Sequence, residues 1–336
     1  MATIKDVARE AGVSISTVSN TLGGRKFVSA ELRERVNRAV ARLGYSADPA
    51  ASGLKSRTSR VIGLVVPSID SAFFPAVIGG LQEELQKKGY TINFYATDFD
   101  EDAEKNAVSA LLANRADGII VDSVSTDAEY LRSLAALTVR DKRVPAVALE
   151  RDLTTFGVTG VTIDNRLGGE LAARHLAQAG AKRIAHIYGR HSAPWSAERY
   201  EGFRAGLRAA GLEFDDSLLR DGDFTLAGGS EAVRSLLAAG ADFDGIFAAN
   251  DLSAVGALKA LQAAGKSALL VGFDDTYVSM LTTPSVSTVA VPKRELGEHA
   301  GRKIVELIEK IGEDRPPENI TLPVRLIARE STQNAK

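Results

Sequence analysis

The chain contains no cysteine. Disulfides, thiolate metal sites and cysteine nucleophiles are therefore excluded. Its first residues, Met1-Ala2-Thr3-Ile4-Lys5-Asp6, hold no apolar h-region, and no apolar run approaches bilayer-spanning length. The expectation is a cytoplasmic protein without membrane contact. Enzyme signatures are missing too. A dinucleotide site needs Gly-x-Gly-x-x-Gly right after a strand, yet the apolar run Val61–Val66 is followed by Pro67-Ser68-Ile69-Asp70. No P-loop sequence and no nucleophile elbow occurs. The four histidines, His175, His186, His191 and His299, lack metal-ligand spacing. The expectation is a non-enzyme with no cofactor and no metal. No heptad repeat follows the last predicted strand, which favours a homodimer over a coil-linked tetramer.

What is present describes a globular protein. At 336 residues, 45% hydrophobic and 25% charged, the chain suits two or three folded units. The net charge of −2 hides an asymmetry. Residues 1–60 hold eleven Lys and Arg against five Asp and Glu, while the remainder holds 30 against 38. A basic segment on an acidic body suits a polyanion-binding head, though uneven surface charge alone would look the same.

The first sixty residues carry the strongest pattern. Thr3 and Asp6 form a capping box before a helix whose inner face is Ile4, Val7, Ala8 and Ala11. Gly12 turns the chain, Val13 packs in the turn, and Ser14 caps a second helix with Val18 and Leu22 inward. Ser29 caps a third, with Leu32, Val36, Val40 and Leu43 inward and Gly44 closing it. This is a helix-turn-helix pattern. In that geometry the second helix enters the major groove of double-stranded DNA. Ile15, Ser16, Thr17 and Asn20 are then candidates for base contacts, Asn pairing an adenine edge and Ile a thymine methyl. Arg25, Lys26 and Tyr45 are candidates for phosphates, with Thr3 at the same surface.

Beyond residue 60, apolar runs alternate with helical segments. Strands are expected at 61–66, 90–96, 118–122, 146–150, 183–188, 245–248, 269–273 and 322–328. Helices are expected at 74–88, 103–114, 129–137, 167–178, 198–210, 229–238, 252–264 and 293–311. The fold class is thus a small all-α headpiece plus an α/β core of two doubly wound subdomains with covered parallel sheets. Ligands in open α/β sheets bind outside the carboxyl ends of strands. That rule selects Phe73, Phe74, Glu150, Asp164, Trp195, Arg199, Phe224, Asn250 and Asp274. Aromatic faces joined to carboxylates, an amide and a guanidinium suit a sugar. Each also has a plain structural use: Phe73 as core, Asp164 and Asp274 as helix caps, Arg199 as an ion-pair partner.

The stretches 2–8, 11–14 and 17–19, with Gly44-Tyr45 and Ile62-Gly63-Leu64-Val65-Val66-Pro67, closely resemble the LacI/GalR family of transcription regulators. The resemblance covers essentially the whole chain. Many relatives have Arg where this chain has Asn20, which leaves the operator sequence open. The resemblance implies a periplasmic-binding-protein architecture in which the chain crosses between subdomains three times. It implies a headpiece at 1–46, a hinge at 47–60 and an effector-binding and dimerisation core at 61–336. The core would divide into 61–163 with 293–320, and 164–290 with 321–332. It also implies that the hinge folds on DNA, with Leu54 wedged into the minor groove beside Lys55. Leu54 is the only large apolar side chain between Tyr45 and Val61. Phe74, Asp164, Arg199, Phe224, Asn250 and Asp274 match family effector contacts, while Glu150 and Trp195 fall where the family varies. The expected function is a repressor on a palindromic operator, nucleoid-associated when bound and controlled by a small-molecule effector, a carbohydrate first. The alternatives are a corepressor-dependent regulator that binds a nucleobase or other metabolite, and a solute-binding or enzyme core without a regulatory role.

Overall fold

A computed structural model of the chain describes residues 2–23, 28–45 and 58–333. Arg25, Lys26, Leu54 and Lys55 lie outside the described residues. The chain divides into two compact units, residues 1–59 and 60–336.

The first unit is three helices, α1 (Ile4–Ala11), α2 (Ile15–Gly23) and α3 (Ala30–Leu43). Thr3 and Asp6 make the reciprocal capping box at α1, and Gly12 follows at φ 61°. The Ser14 hydroxyl accepts from Thr17 N at 3.1 Å, and that of Ser29 accepts from Leu32 N. Val7, Ala8, Ala11, Val18, Val36 and Ala39 form the core. Leu22 departs from expectation: it is 39% exposed, because Val18 alone fills the contact with the other two helices. Arg35 is no simple member of the basic surface. Its guanidinium donates to Ala11 O at 2.8 and 3.1 Å and to Gly12 O at 3.1 Å, tying α3 to the carbonyl end of α1.

The second unit holds two six-stranded sheets. The first draws on β1 (Val61–Val66), β2 (Thr91–Ala96), β3 (Gly118–Val121), β6 (Ala146–Leu149), β7 (Thr159–Ile163) and β13 (Asn319–Leu322). Between β3 and β6 lies a separate small hairpin, β4 (Thr138–Val139) and β5 (Lys142–Arg143). Strand order is β13-β7-β6-β3-β1-β2, all parallel. The second sheet draws on β8 (Ile184–Tyr188), β9 (Leu219–Asp221), β10 (Gly245–Ala248), β11 (Leu269–Asp274), β12 (Ser287–Ala290) and β14 (Arg325–Ile327), in the order β14-β12-β11-β10-β8-β9. Its edge strand β14 runs antiparallel to β12. The chain passes between the sheets three times, after Ile163, Ala290 and Leu322. The single final strand expected at 322–328 is two strands in different sheets. Pro323, which cannot donate to a ladder, marks the break.

Helices cover both sheets. The connecting ones are α4 (Phe74–Lys87), α5 (Glu101–Ala113), α6 (Ala128–Leu134), α7 (Asn165–Gln178), α8 (Pro194–Ala209), α9 (Leu226–Ala238), α10 (Asp251–Ala263) and α11 (Lys293–Glu309). Helix α8 begins four residues before the expected start, because Pro194 is pre-set for a first helical turn. Thr225 caps α9 and Asp100 caps α5, each likewise ahead of the expected start. Helices α7 and α8 touch backbone to backbone. A Cβ on Gly202 would sit 1.8 Å from Arg166 O, and one on Gly169 2.0 Å from Arg199 O. That close crossing sets Arg199 against the end of the second sheet.

Candidate functional site

A cavity of about 330 Å³ lies at the carboxyl ends of the strands in the second unit. Phe73, Phe74, Glu150, Trp195, Arg199, Phe224, Asn250 and Asp274 all line it, so eight of the nine residues selected from the sequence come together. Asp164 does not. Its carboxylate accepts from Leu167 N at 2.8 Å and caps α7, the use open to any Asp before a helix. The next residue does the unexpected work: Asn165 Oδ1 accepts from Arg199 Nε at 2.9 Å.

Arg199 is 2% exposed and is held from several sides. Nη1 donates to Ala249 O at 2.7 Å, and the guanidinium lies 3.8 Å from the centre of the Phe273 ring. Its contacts with Glu150 (3.6 Å) and Asp274 (3.7 Å) are longer than hydrogen bonds. Glu150 follows β6 of the first sheet, and Asp274 ends β11 of the second. Glu150 Oε1 and Asp274 Oδ1 are buried without a hydrogen-bond partner. Buried acceptors in native proteins are normally satisfied, so two unsatisfied carboxylates among the residues lining one cavity fit a ligand that donates hydrogen bonds. Burial pushes Glu150 up to about 7, although Arg199 pulls it down. Burial raises Asp274 as well, against the pull of Arg199 and Lys293.

Left-handed backbone recurs around the cavity, and at Phe99, Glu150 and Phe224 it is strained. Asp98, Phe99, Glu150, Asp223, Phe224 and Asp274 all line the cavity, and all have φ between 51° and 99°. Side chains other than Gly, Asn and Asp pay for that region, and such residues gather at functional sites. Phe99 and Phe224 stack with centroids 6.2 Å apart, and the Arg190 guanidinium lies 4.5 Å from the Phe99 centroid. Asn250 is committed on both ends. Its Oδ1 accepts from Ser253 N and its Nδ2 donates to Phe224 O, both at 2.9 Å, so it anchors the loop carrying Phe224. Trp195 packs on Val124 and Ala193, and Phe73 and Phe74 meet edge to face at 5.2 Å. Phe73 serves core and cavity together.

Sequence reasoning passed over Asp98, Phe99, Asp122, Arg190 and Asp223. The same strand-end rule would have found all five, since Asp98 and Phe99 follow β2, Asp122 follows β3, Arg190 follows β8 and Asp223 follows β9.

In the first unit, Ile15 is 46% exposed at the start of α2. Ser16 is exposed, while Thr17 and Asn20 are half-buried. The Ser16 and Thr17 hydroxyls each share a hydrogen bond with Ser14 Oγ, at 2.7 and 2.9 Å. Thr3 is exposed and spends its hydroxyl on Asp6. Tyr45 packs on the helical core.

Residues 3–48 match the family model for bacterial regulatory proteins of the lacI family. Residues 59–330 match that for periplasmic binding proteins and the sugar-binding domain of the LacI family. The ribose operon repressor of Halalkalibacterium halodurans is 32% identical, over 100% of this chain and 98% of that protein. Its Bacillus subtilis counterpart is 31% identical over 99% of each. The lac repressor dimer bound to operator and an anti-inducer superposes with a TM-score of 0.87 at 27% identity, over 99% of both chains. A LacI-family regulator from Enterococcus faecium with bound ribose gives a TM-score of 0.70 at 27% identity, over 82% of this chain and all of that one. These relatives carry the names of regulators, not of enzymes, and no described helix is long and apolar enough to cross a membrane. With both models matched across nearly its whole length, this DNA-binding transcription regulator belongs to the LacI family.

Proposed function

We propose that the protein is a cytoplasmic repressor that binds a near-palindromic operator as a homodimer and is controlled by a neutral sugar in the cavity. One observation carries the sugar reading. The buried Arg199 is flanked by Glu150 and Asp274, each with an unused oxygen, in a cavity also lined by the Phe74, Trp195 and Phe224 rings. Carboxylates accept from neighbouring hydroxyls while aromatic rings cover the apolar face of a sugar. Ribose heads the candidates, because two full-length relatives are named ribose operon repressors and a structural relative holds ribose.

On DNA, Ile15, Ser16, Thr17 and Asn20 read base edges at the start of α2. Arg25, Lys26, Thr3 and Tyr45 hold phosphates. Leu54, with Lys55, opens the minor groove between the two headpieces. The sugar changes operator affinity by binding one state of the core better than the other. A thermal-shift panel of D-ribose, D-xylulose, cellobiose and adenine tests the reading. A ligand bound only by the native state raises its stability by about 2.7 kcal/mol at a hundredfold excess over Kd. Operator titration with and without the hit then gives the sign of the switch. A shift with adenine alone would replace the sugar by a nucleobase.

A further inference from the structure

Asp122 follows β3, is 1% exposed and lines no part of the cavity. Neither of its carboxyl oxygens has a hydrogen-bond partner, and Oε1 of Glu150, which follows the neighbouring strand β6 (Val121 pairs with Ala148), has none either. The charged groups around this pair are accounted for. Glu104 accepts from Ser123 Oγ at 2.6 Å and from Val124 N at 2.9 Å. Arg151 donates to the carbonyls of Ser123 and Ser125, Arg199 to Ala249 O and Asn165, and Lys293 to the carbonyls of Asp274 and Asp275. Glu198 accepts from Asn165 Nδ2 at 3.1 Å. Five carboxyl groups, with Asp274 counted, thus face three cations whose hydrogen bonds go elsewhere. Burying two bare carboxylates side by side is prohibitive, and a proton resolves it.

We propose that Asp122 is a positioning residue that shares one proton with Glu150, donating it to one oxygen of the Glu150 carboxylate and leaving the other as an ionised acceptor for a sugar hydroxyl. The pair then carries one proton and one negative charge. It favours an uncharged, hydroxyl-rich ligand and repels a phosphorylated one. Burial supports this: it raises Glu150 to about 7, where Arg199 and a hydrogen bond from Asp122 pull the other way, and it raises Asp122, with the Glu150 charge adding to it, well above the ordinary carboxylate range. The proposal rests on the cavity being the sugar site.

Two measurements on the full chain test it. The first needs no ligand. Infrared spectra at neutral pH contain a protonated-carboxyl stretch that is lost in Asp122→Asn. The second is calorimetric titration with D-ribose against pH. Wild-type affinity rises as Glu150 ionises, then falls by about tenfold per pH unit once the shared proton leaves. Asp122→Asn supplies a permanent N–H donor and loses that alkaline fall, whereas Asp122→Ala binds more weakly throughout. A purely structural Asp122 would leave the alkaline limb in place in Asp122→Asn. That result, or an infrared spectrum unchanged by the substitution, overturns the proposal. A stretch sensitive to Asp122→Asn without any ribose binding upholds the shared proton and counts against ribose as effector.

Discussion

Replacing Glu150 by Gln should make the protein more stable while ruining its cavity. The Glu150 carboxyl is 6% exposed, so solvent does little to offset its burial. In the folded chain it keeps its proton up to about 7, against 4.5 ordinarily. Between those values the unfolded state binds fewer protons than the folded one, so stability falls as pH rises. The group's contribution is complete below the unfolded value and lost as pH climbs through the folded one. The gap corresponds to about 3 kcal/mol at roughly 1.4 kcal/mol per pH unit. The weak attraction from Arg199 is already contained in that difference. Gln is nearly isosteric and carries no charge, and Arg199 keeps its bonds to Asn165 and Ala249. Glu150→Gln should therefore match wild type at about pH 4.5 and exceed it by up to about 3 kcal/mol at about pH 8. Urea unfolding of both proteins across that range gives the difference directly. A gap that does not grow with pH would refute the reasoning, as would a variant less stable than wild type at the alkaline end.

Other predictions bear on function and packing. Leu54→Ala should weaken operator binding much more than non-specific binding, measured by titration of both DNAs at one salt concentration; equal losses would remove the wedge. Asp274→Ala should abolish the effector response in an operator-release assay and leave operator affinity intact. A normal response would take Asp274 out of the cavity's machinery. Gly202→Ala puts a methyl group 1.8 Å from Arg166 O, so α7 and α8 must separate. A loss of at least about 2 kcal/mol is expected in urea unfolding; a neutral effect would mean that the crossing is looser than the distances imply.

The sequence was most legible where structure is local. The capping box at Thr3, the turn at Gly12 and the caps at Ser14 and Ser29 each need only a few neighbouring residues. Alternating apolar runs and helical segments likewise announce a covered parallel sheet, since both periods are read within one segment. The strand-end rule then gathered eight cavity residues, because every parallel strand delivers its last residue to the same edge. It misjudged Asp164 because an Asp before a helix serves as a cap or a ligand contact with identical local sequence.

The amino-acid sequence by itself determined the two-unit plan, the three-helix headpiece, the α/β core and the chemical types at the strand ends. Only the tertiary structure decided which of those types are spent on the protein and which are left over. Asn165 and Arg35 look like polar surface in the sequence and Asn250 like a ligand contact, yet each is spent on a distant part of the chain: Arg199, the end of α1 and the Phe224 loop. Asp122 looks like the end of a strand, yet it is a buried carboxyl to which no protein group donates. Hydrogen-bond satisfaction and desolvation depend on groups tens of residues away, and those distances exist only once the chain has folded.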